Sequence, residues 1–171
     1  MNIFDFIDYQ TIESRKLVKS LLNELPAGKW YETPAGINSN IAWQAGHLVI
    51  SQYFNAIIVV KGSNKEIQEN IPLRQYAIWF AMGSNPTELK EEFTPDVFNK
   101  HLDFVAAVAQ KVLFSLSEDD LSRPLEPSKM PHPIAKNKLE ALSWHFKHEI
   151  WHCGQIAMIR RAIGCPVNYF R

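Results

Sequence analysis

His148 and His152, two histidines four residues apart in His148-Glu149-Ile150-Trp151-His152, are the residues of this chain best placed to do chemistry. Because an α-helix repeats every ~3.6 residues, both rings stand on one face about a turn apart. A divalent ion requires that arrangement of a single rigid element. The same five residues read H-E-x-x-H, a pattern that in metalloproteases sets a zinc pair and a general-base Glu on one helix. Such a protease draws its third ligand from downstream. Residues 153–171 contain no His, Asp or Glu, so a third ligand has to come from earlier in the chain.

The candidates are His47, His101, His132, His145 and upstream carboxylates. His47 ranks first, because it stands among Val49, Ile50, Tyr53 and Phe54 in an almost wholly apolar segment. An imidazole buried there needs a hydrogen bond or a metal, since an unsatisfied buried polar group costs on the order of 1–3 kcal/mol. The competing reading is a core histidine bonded to a backbone carbonyl or to Tyr53. His145, His148 and His152 fall at i, i+3 and i+7 and can share one face; a polar stripe at a helix–helix or dimer interface would look the same. Two imidazoles aimed at a third from another helix form a three-nitrogen site. That set suits Zn²⁺, Ni²⁺ or other late first-row ions and leaves coordination positions open.

His145 is the spare ring, assigned to the surface or to a supporting place beside the site, with a proton shuttle as a further option. Glu149, ~100° around the helix from His148, is either a general base at the site or a solvent-exposed carboxylate. These two are the candidate catalytic groups. His101, near Val97 and Leu102, reads as structural, and His132 lies on a loop able to fold over the site.

Four long helical patterns must position these residues. The first spans roughly Ile3 to Leu25, with Phe4, Ile7, Thr11, Val18, Leu21, Leu22 and Leu25 at helical spacing and Pro26 as its stop. The second starts at Ser39 or Asn40 and runs to Val60, with Gly62 behind it. Being apolar almost all round, it should be buried on several sides. The third has Thr94 as N-cap and Pro95 at its first position, followed by Val97, Phe98, Leu102, Val105, Val108, Val112 and Leu116. The fourth opens with Asn137-Lys138-Leu139-Glu140, a capping-box variant, and ends at Gly164 and Pro166. Strand signals are missing. Two long connections remain. Residues 61–93 hold a short apolar segment, Tyr76-Ala77-Ile78-Trp79-Phe80, predicted as a partial helix, with Tyr76, Trp79 and Phe80 as pocket walls or core. Residues 117–136 carry four prolines and should form an irregular crossover. The expected fold is all-α, a single four-helix bundle over residues 1–171 with long crossover loops.

Composition narrows the function classes. With 171 residues, 46% apolar and 21% charged, the chain can bury a core without disulfides. Eighteen basic residues balance eighteen acidic ones, which argues against nucleic acid as a partner. Cys153 and Cys165, twelve residues apart along a helix, would stand roughly 18 Å from one another by the helical rise. A bridge needs ~7 Å or less, so both should be free thiols. The first residues lack a signal-peptide pattern. The uncharged stretch from Thr33 to Val60 contains Asn38, Asn40, Gln44, His47, Gln52 and Asn55, which argues against a membrane span. A cytoplasmic protein with no membrane partner is expected, and the all-round apolar second helix suggests a homodimer.

His47-Leu48 in the second helix, together with His148-x-x-x-His152-x-Gly154-Gln155 and Ala162-Ile163-Gly164 in the last, resembles the DinB / YfiT-like superfamily over essentially the whole chain. The name reflects DNA-damage-inducible expression and implies no kinship with the like-named DNA polymerase. Cys153 departs from the Arg or small residue expected at that place. The resemblance implies a DinB-like four-helix bundle in which His47, His148 and His152 coordinate a divalent ion, often nickel or zinc. It further implies thiol S-transferase or hydrolase chemistry on a small molecule, with a low-molecular-weight thiol such as bacillithiol, mycothiol or glutathione as a possible cosubstrate. The alternative is a non-catalytic metal- or ligand-binding bundle that acts through dimerisation.

Overall fold

The computed structural model describes residues 1–89 and 92–167. Among them are seven α-helices and no strand: α1 (Ile3–Leu22), α2 (Ile41–Tyr53, prolonged by a π turn at Phe54–Ile58 and a last turn at Val59–Lys61), α3 (Lys65–Asn70), α4 (Leu73–Trp79), α5 (Pro95–Leu113), α6 (Glu118–Ser122) and α7 (Lys138–Ala162). Four of them, α1, α2, α5 and α7, are the long rods of the expected bundle.

Each rod begins where its sequence supplies a cap. The Asn40 side chain accepts from the Trp43 amide to open α2, and Thr94 does the same for Val97 at the head of α5, ahead of Pro95. At α7, Asn137 Oδ1 accepts from the Glu140 amide at 2.9 Å, while the Glu140 carboxylate reaches back to the Lys136 amide at 2.7 Å. The capping box at Asn2 and Asp5 on α1 was not foreseen. Helix ends come earlier than the apolar stripes suggest. The first helix stops at Leu22 rather than Leu25, and α5 at Leu113 rather than Leu116, although Leu25 and Leu116 still reach the core from their loops.

α1 packs chiefly on α7, and α2 lies against α5, α7 and α4. Much of the apolar circumference of α2 is thus covered within one chain, while Trp43, Ile50, Phe54 and Ile58 stay half-buried. Gly46 admits the Phe80 ring, just past the end of α4, against α2: a β-carbon at that position would stand 2.3 Å from it. Phe80 belongs to an aromatic cluster with Tyr76, Phe93 and Phe98, and Trp30 stacks on Phe98 at 5.7 Å. Tyr76 and Phe80 are therefore core, whereas Trp79 is only half-buried.

The π turn replaces the uninterrupted helix expected to Val60, and the proline-rich crossover packs over it. His132 Nε2 lies 3.0 Å from Asn55 Oδ1, its ring stacks on Phe54, and the Glu126 amide donates to the Val59 carbonyl. His132 Nδ1 in turn accepts from the Ile134 and Ala135 amides. This histidine fastens the crossover to the bundle instead of folding over the site. His101 is structural, as expected, with Nδ1 2.7 Å from the Tyr76 hydroxyl. Cys153 and Cys165 are free. No helix among the described residues is long and apolar enough to cross a membrane.

Candidate metal centre

Residue 47 is carried by the middle of α2, and residues 148 and 152 by one face of α7. One ligating nitrogen from each of His47, His148 and His152 lies within 4.8 Å of the other two. The ring centroids of His47 stand 5.3 Å from His148 and 4.9 Å from His152. The i, i+4 pair supplies two donors from one rod, and the packing of α2 on α7 delivers the third.

Hydrogen bonds set the tautomers of two rings. His47 Nδ1 is 2.8 Å from the Phe80 carbonyl oxygen. A carbonyl only accepts, so Nδ1 carries the proton and Nε2 keeps its lone pair. His152 Nδ1 is 2.5 Å from Gln44 Oε1. That amide is held by its own Nε2, which donates to Ser39 Oγ and to Gln155 Oε1, each at 2.9 Å. His152 Nδ1 is therefore the donor, and its Nε2 lone pair faces His148 Nε2 across 3.1 Å. His148 Nδ1 is buried with no partner.

Burial, the largest cause in every case, depresses the basicity of all three rings. His47 is held below its ordinary value, partly offset by its bond to Phe80. His148 falls to about 3 and His152 to about 2, each lowered further by neighbouring imidazoles. All three are neutral near pH 7, so no proton competes for their lone pairs. Lone pairs that converge in a buried space, with orienting acceptors on the far nitrogens of two rings, fit a late first-row divalent cation. Among the described residues no carboxylate joins the group, so an ion held by these three rings keeps its full charge.

Indole rings border the cluster. Trp43 stacks on His47 with centroids 4.8 Å apart and planes 7° from parallel, while its Nε1 donates to Ser84 Oγ. Trp144 and Trp151 approach His148 at 5.8 and 6.3 Å. His47 is only half-buried, and Trp151 is 61% exposed, so solvent reaches this side of the centre.

The other two candidates lie elsewhere. Glu149 is fully buried, not solvent-exposed, and its carboxylate faces α1, where it accepts from Arg15 Nη2 and, at 3.0 Å, from Ser14 Oγ. A carboxylate spent on that pairing is not aimed at the three imidazoles. His145 is likewise buried rather than superficial, with Nε2 3.6 Å from Glu149 Oε1. Both corrections have one cause: α1 packs on the side of α7 that a single-helix view leaves open. The sequence reading also overlooked the orienting residues. Gln44, one turn before His47 in an otherwise apolar helix, was the available signal. The Phe80 carbonyl offered none, because any residue type carries it.

The known proteins agree with this architecture. A crystal structure described as a conserved protein from Enterococcus faecalis superposes with a TM-score of 0.67 at 14% identity, over 95% of this chain and 98% of that one. At that identity the likeness concerns the fold. No curated protein matches the sequence. The family model of the DinB superfamily matches residues 10–156, a span that takes in all three histidines and most of each of the four rods. The chain belongs to the DinB superfamily.

Proposed function

We propose that this chain is a metal-dependent enzyme acting on a small molecule, with His47, His148 and His152 holding one divalent ion, zinc or nickel. The observation that carries the proposal is the convergence of three neutral imidazole nitrogens within 4.8 Å, with no acidic group joining them among the described residues. A divalent ion with open positions supplies Lewis acidity that makes a thiol or water a usable nucleophile near pH 7. Thiol S-transfer or hydrolysis is the reaction class that chemistry serves, with a low-molecular-weight thiol as cosubstrate in the first case.

The chain's own residues have three tasks. Gln44 and the Phe80 carbonyl fix the tautomers and ring orientations of His152 and His47. Trp43, Trp144 and Trp151 offer flat apolar faces to a substrate beside the ligands. The buried faces of α2 and α7 exclude bulk water from the inner side of the cluster. Glu149 has no catalytic task here. The free thiols of Cys153 and Cys165 suit a reducing cytoplasm.

The test is a thiol-transfer and ester-hydrolysis screen with chromogenic electrophiles. Zinc- or nickel-loaded protein is compared with chelator-treated protein and with a His148→Ala/His152→Ala variant. Turnover by the loaded protein alone supports the proposal. Turnover that ignores the chelator, or binding without turnover by any thiol or ester, favours a non-catalytic ligand-binding bundle.

A further inference from the structure

Three of the chain's five tryptophans gather beside the candidate ligands. Trp30, by contrast, is buried against Phe98 in the core. Trp43 is fixed in place, with one face on His47 and its Nε1 donating to Ser84 Oγ. Trp144 and Trp151, two turns apart on α7, are more open. Trp144 is half-buried and Trp151 is 61% exposed. Leaving most of an indole in water forgoes the burial that such a side chain offers, and here that happens next to two of the three ligands.

The two indoles meet with centroids 6.3 Å apart and planes 67° from parallel. They form a corner, not a stack. His148 borders both, and Trp151 stands 6.3 Å from His152 as well. A flat ring set in that corner lies face on to one indole and edge on to the other, the two arrangements that aromatic pairs prefer. An aliphatic body would bury similar area and gain neither. Trp144 also lines an open groove of about 350 Å³ with Ile134, Leu139, Ser143 and Lys147, all of them at least partly exposed. The groove gives room for substituents on the ring.

We propose that the substrate of this centre carries its reacting group on a planar aromatic body, and that Trp144 and Trp151 select it. This rests on the reading that His47, His148 and His152 hold an ion, and it adds the substrate class to that reading. The reacting group reaches the ion while the ring occupies the corner of the two indoles. Trp43 takes no ring on the face that His47 covers, so selection falls to the pair on α7.

The probes are three hydroxamates, which share a head that chelates zinc: acetohydroxamate, phenylacetohydroxamate and cyclohexylacetohydroxamate. Each is titrated calorimetrically into the zinc-loaded and the metal-free full chain. Acetohydroxamate, having no ring, reports on the ion alone. The phenyl compound should bind the loaded chain at least about threefold tighter than its saturated counterpart. Trp151→Leu keeps an apolar side chain at an exposed position and should bring that phenyl-to-cyclohexyl ratio close to one; Trp144→Leu should lower it too. Equal affinities for the two ring compounds, or tighter binding of the cyclohexyl one, would overturn the proposal while acetohydroxamate binding upholds the ion. So would a ratio unaltered in Trp151→Leu. Failure of the loaded chain to bind any hydroxamate better than the metal-free chain would overturn the ion and this proposal with it. Should Trp144→Leu not fold, the indole N–H signals of Trp144 and Trp151 in the unmodified chain decide its part. Phenylacetohydroxamate must shift both in NMR spectra, and an unmoved Trp144 signal would remove that residue from the site.

Discussion

Glu149→Ala separates the two meanings of the H-E-x-x-H pattern. In a protease-like arrangement the Glu is a reacting group, so its loss leaves a stable, metal-loaded and inactive protein. In this structure it is the buried partner of Arg15, with side-chain exposures of 0% and 7%. Removing one member of a buried ion pair strands the other charge, at a cost of about 3–5 kcal/mol. Ser14 Oγ loses an acceptor as well. For a chain of this length each kcal/mol lowers Tm by about 2–4 °C, which gives a fall of roughly 6–20 °C by differential scanning calorimetry. The double variant Arg15→Met/Glu149→Leu removes both charges and should recover most of that loss, because an apolar pair of similar bulk often matches a buried ion pair. Zinc affinity measured against a competing chelator should change little in either protein. A Glu149→Ala protein within about 2 °C of the parent Tm would refute the structural role, and a large loss of zinc affinity at unchanged Tm would return Glu149 to the metal centre.

Gln44→Leu should weaken metal binding by about 10–100-fold with little change in Tm, since it removes the acceptor that fixes His152; chelator competition reads the effect, and an unchanged Kd would contradict it. Gly46→Ala drives a β-carbon against the Phe80 ring, so a loss of about 1–3 kcal/mol in urea unfolding is expected, with weaker metal binding as the Phe80 carbonyl shifts from His47. Tyr76→Phe leaves His101 Nδ1 without its partner and should cost about 1–3 kcal/mol in the same assay. Burial lowers the pKa of His145 to about 4 from an ordinary 6.5. A depressed folded-state value means the unfolded chain binds the proton first as pH falls. Stability is therefore complete above pH 6.5 and is lost toward pH 4, with this ring contributing a slope of up to ~1.4 kcal/mol per pH unit. His145→Phe should flatten that slope in urea titrations, and an unaltered slope would show that the ring is not buried neutral.

The parts of the fold that rest on local chemistry were legible in the sequence. Asn40, Thr94 and Asn137 open helices because their side chains accept from amides three residues on, and those signals need no tertiary context. His148 and His152 share a face by helical arithmetic alone. His47 was recognisable because an imidazole in so apolar a helix needs a partner. What stayed hidden depends on which element packs where. Glu149 looks exposed or catalytic until α1 is laid against α7 with Ser14 and Arg15 on its inner face. The Phe80 carbonyl acts on His47 only because Gly46 admits the Phe80 ring. The π turn at Phe54–Ile58 has no compositional mark, and its contacts with His132 come from a crossover that starts more than sixty residues later.

The most direct measurement is the stoichiometry and affinity of zinc and nickel in the purified chain, beside His47→Ala, His148→Ala and His152→Ala variants. Elemental analysis should give one ion per folded parent chain, and each single variant should bind far more weakly without unfolding. Equal metal content in the parent and all three variants, or no measurable binding by the parent, would contradict a shared centre built from α2 and α7.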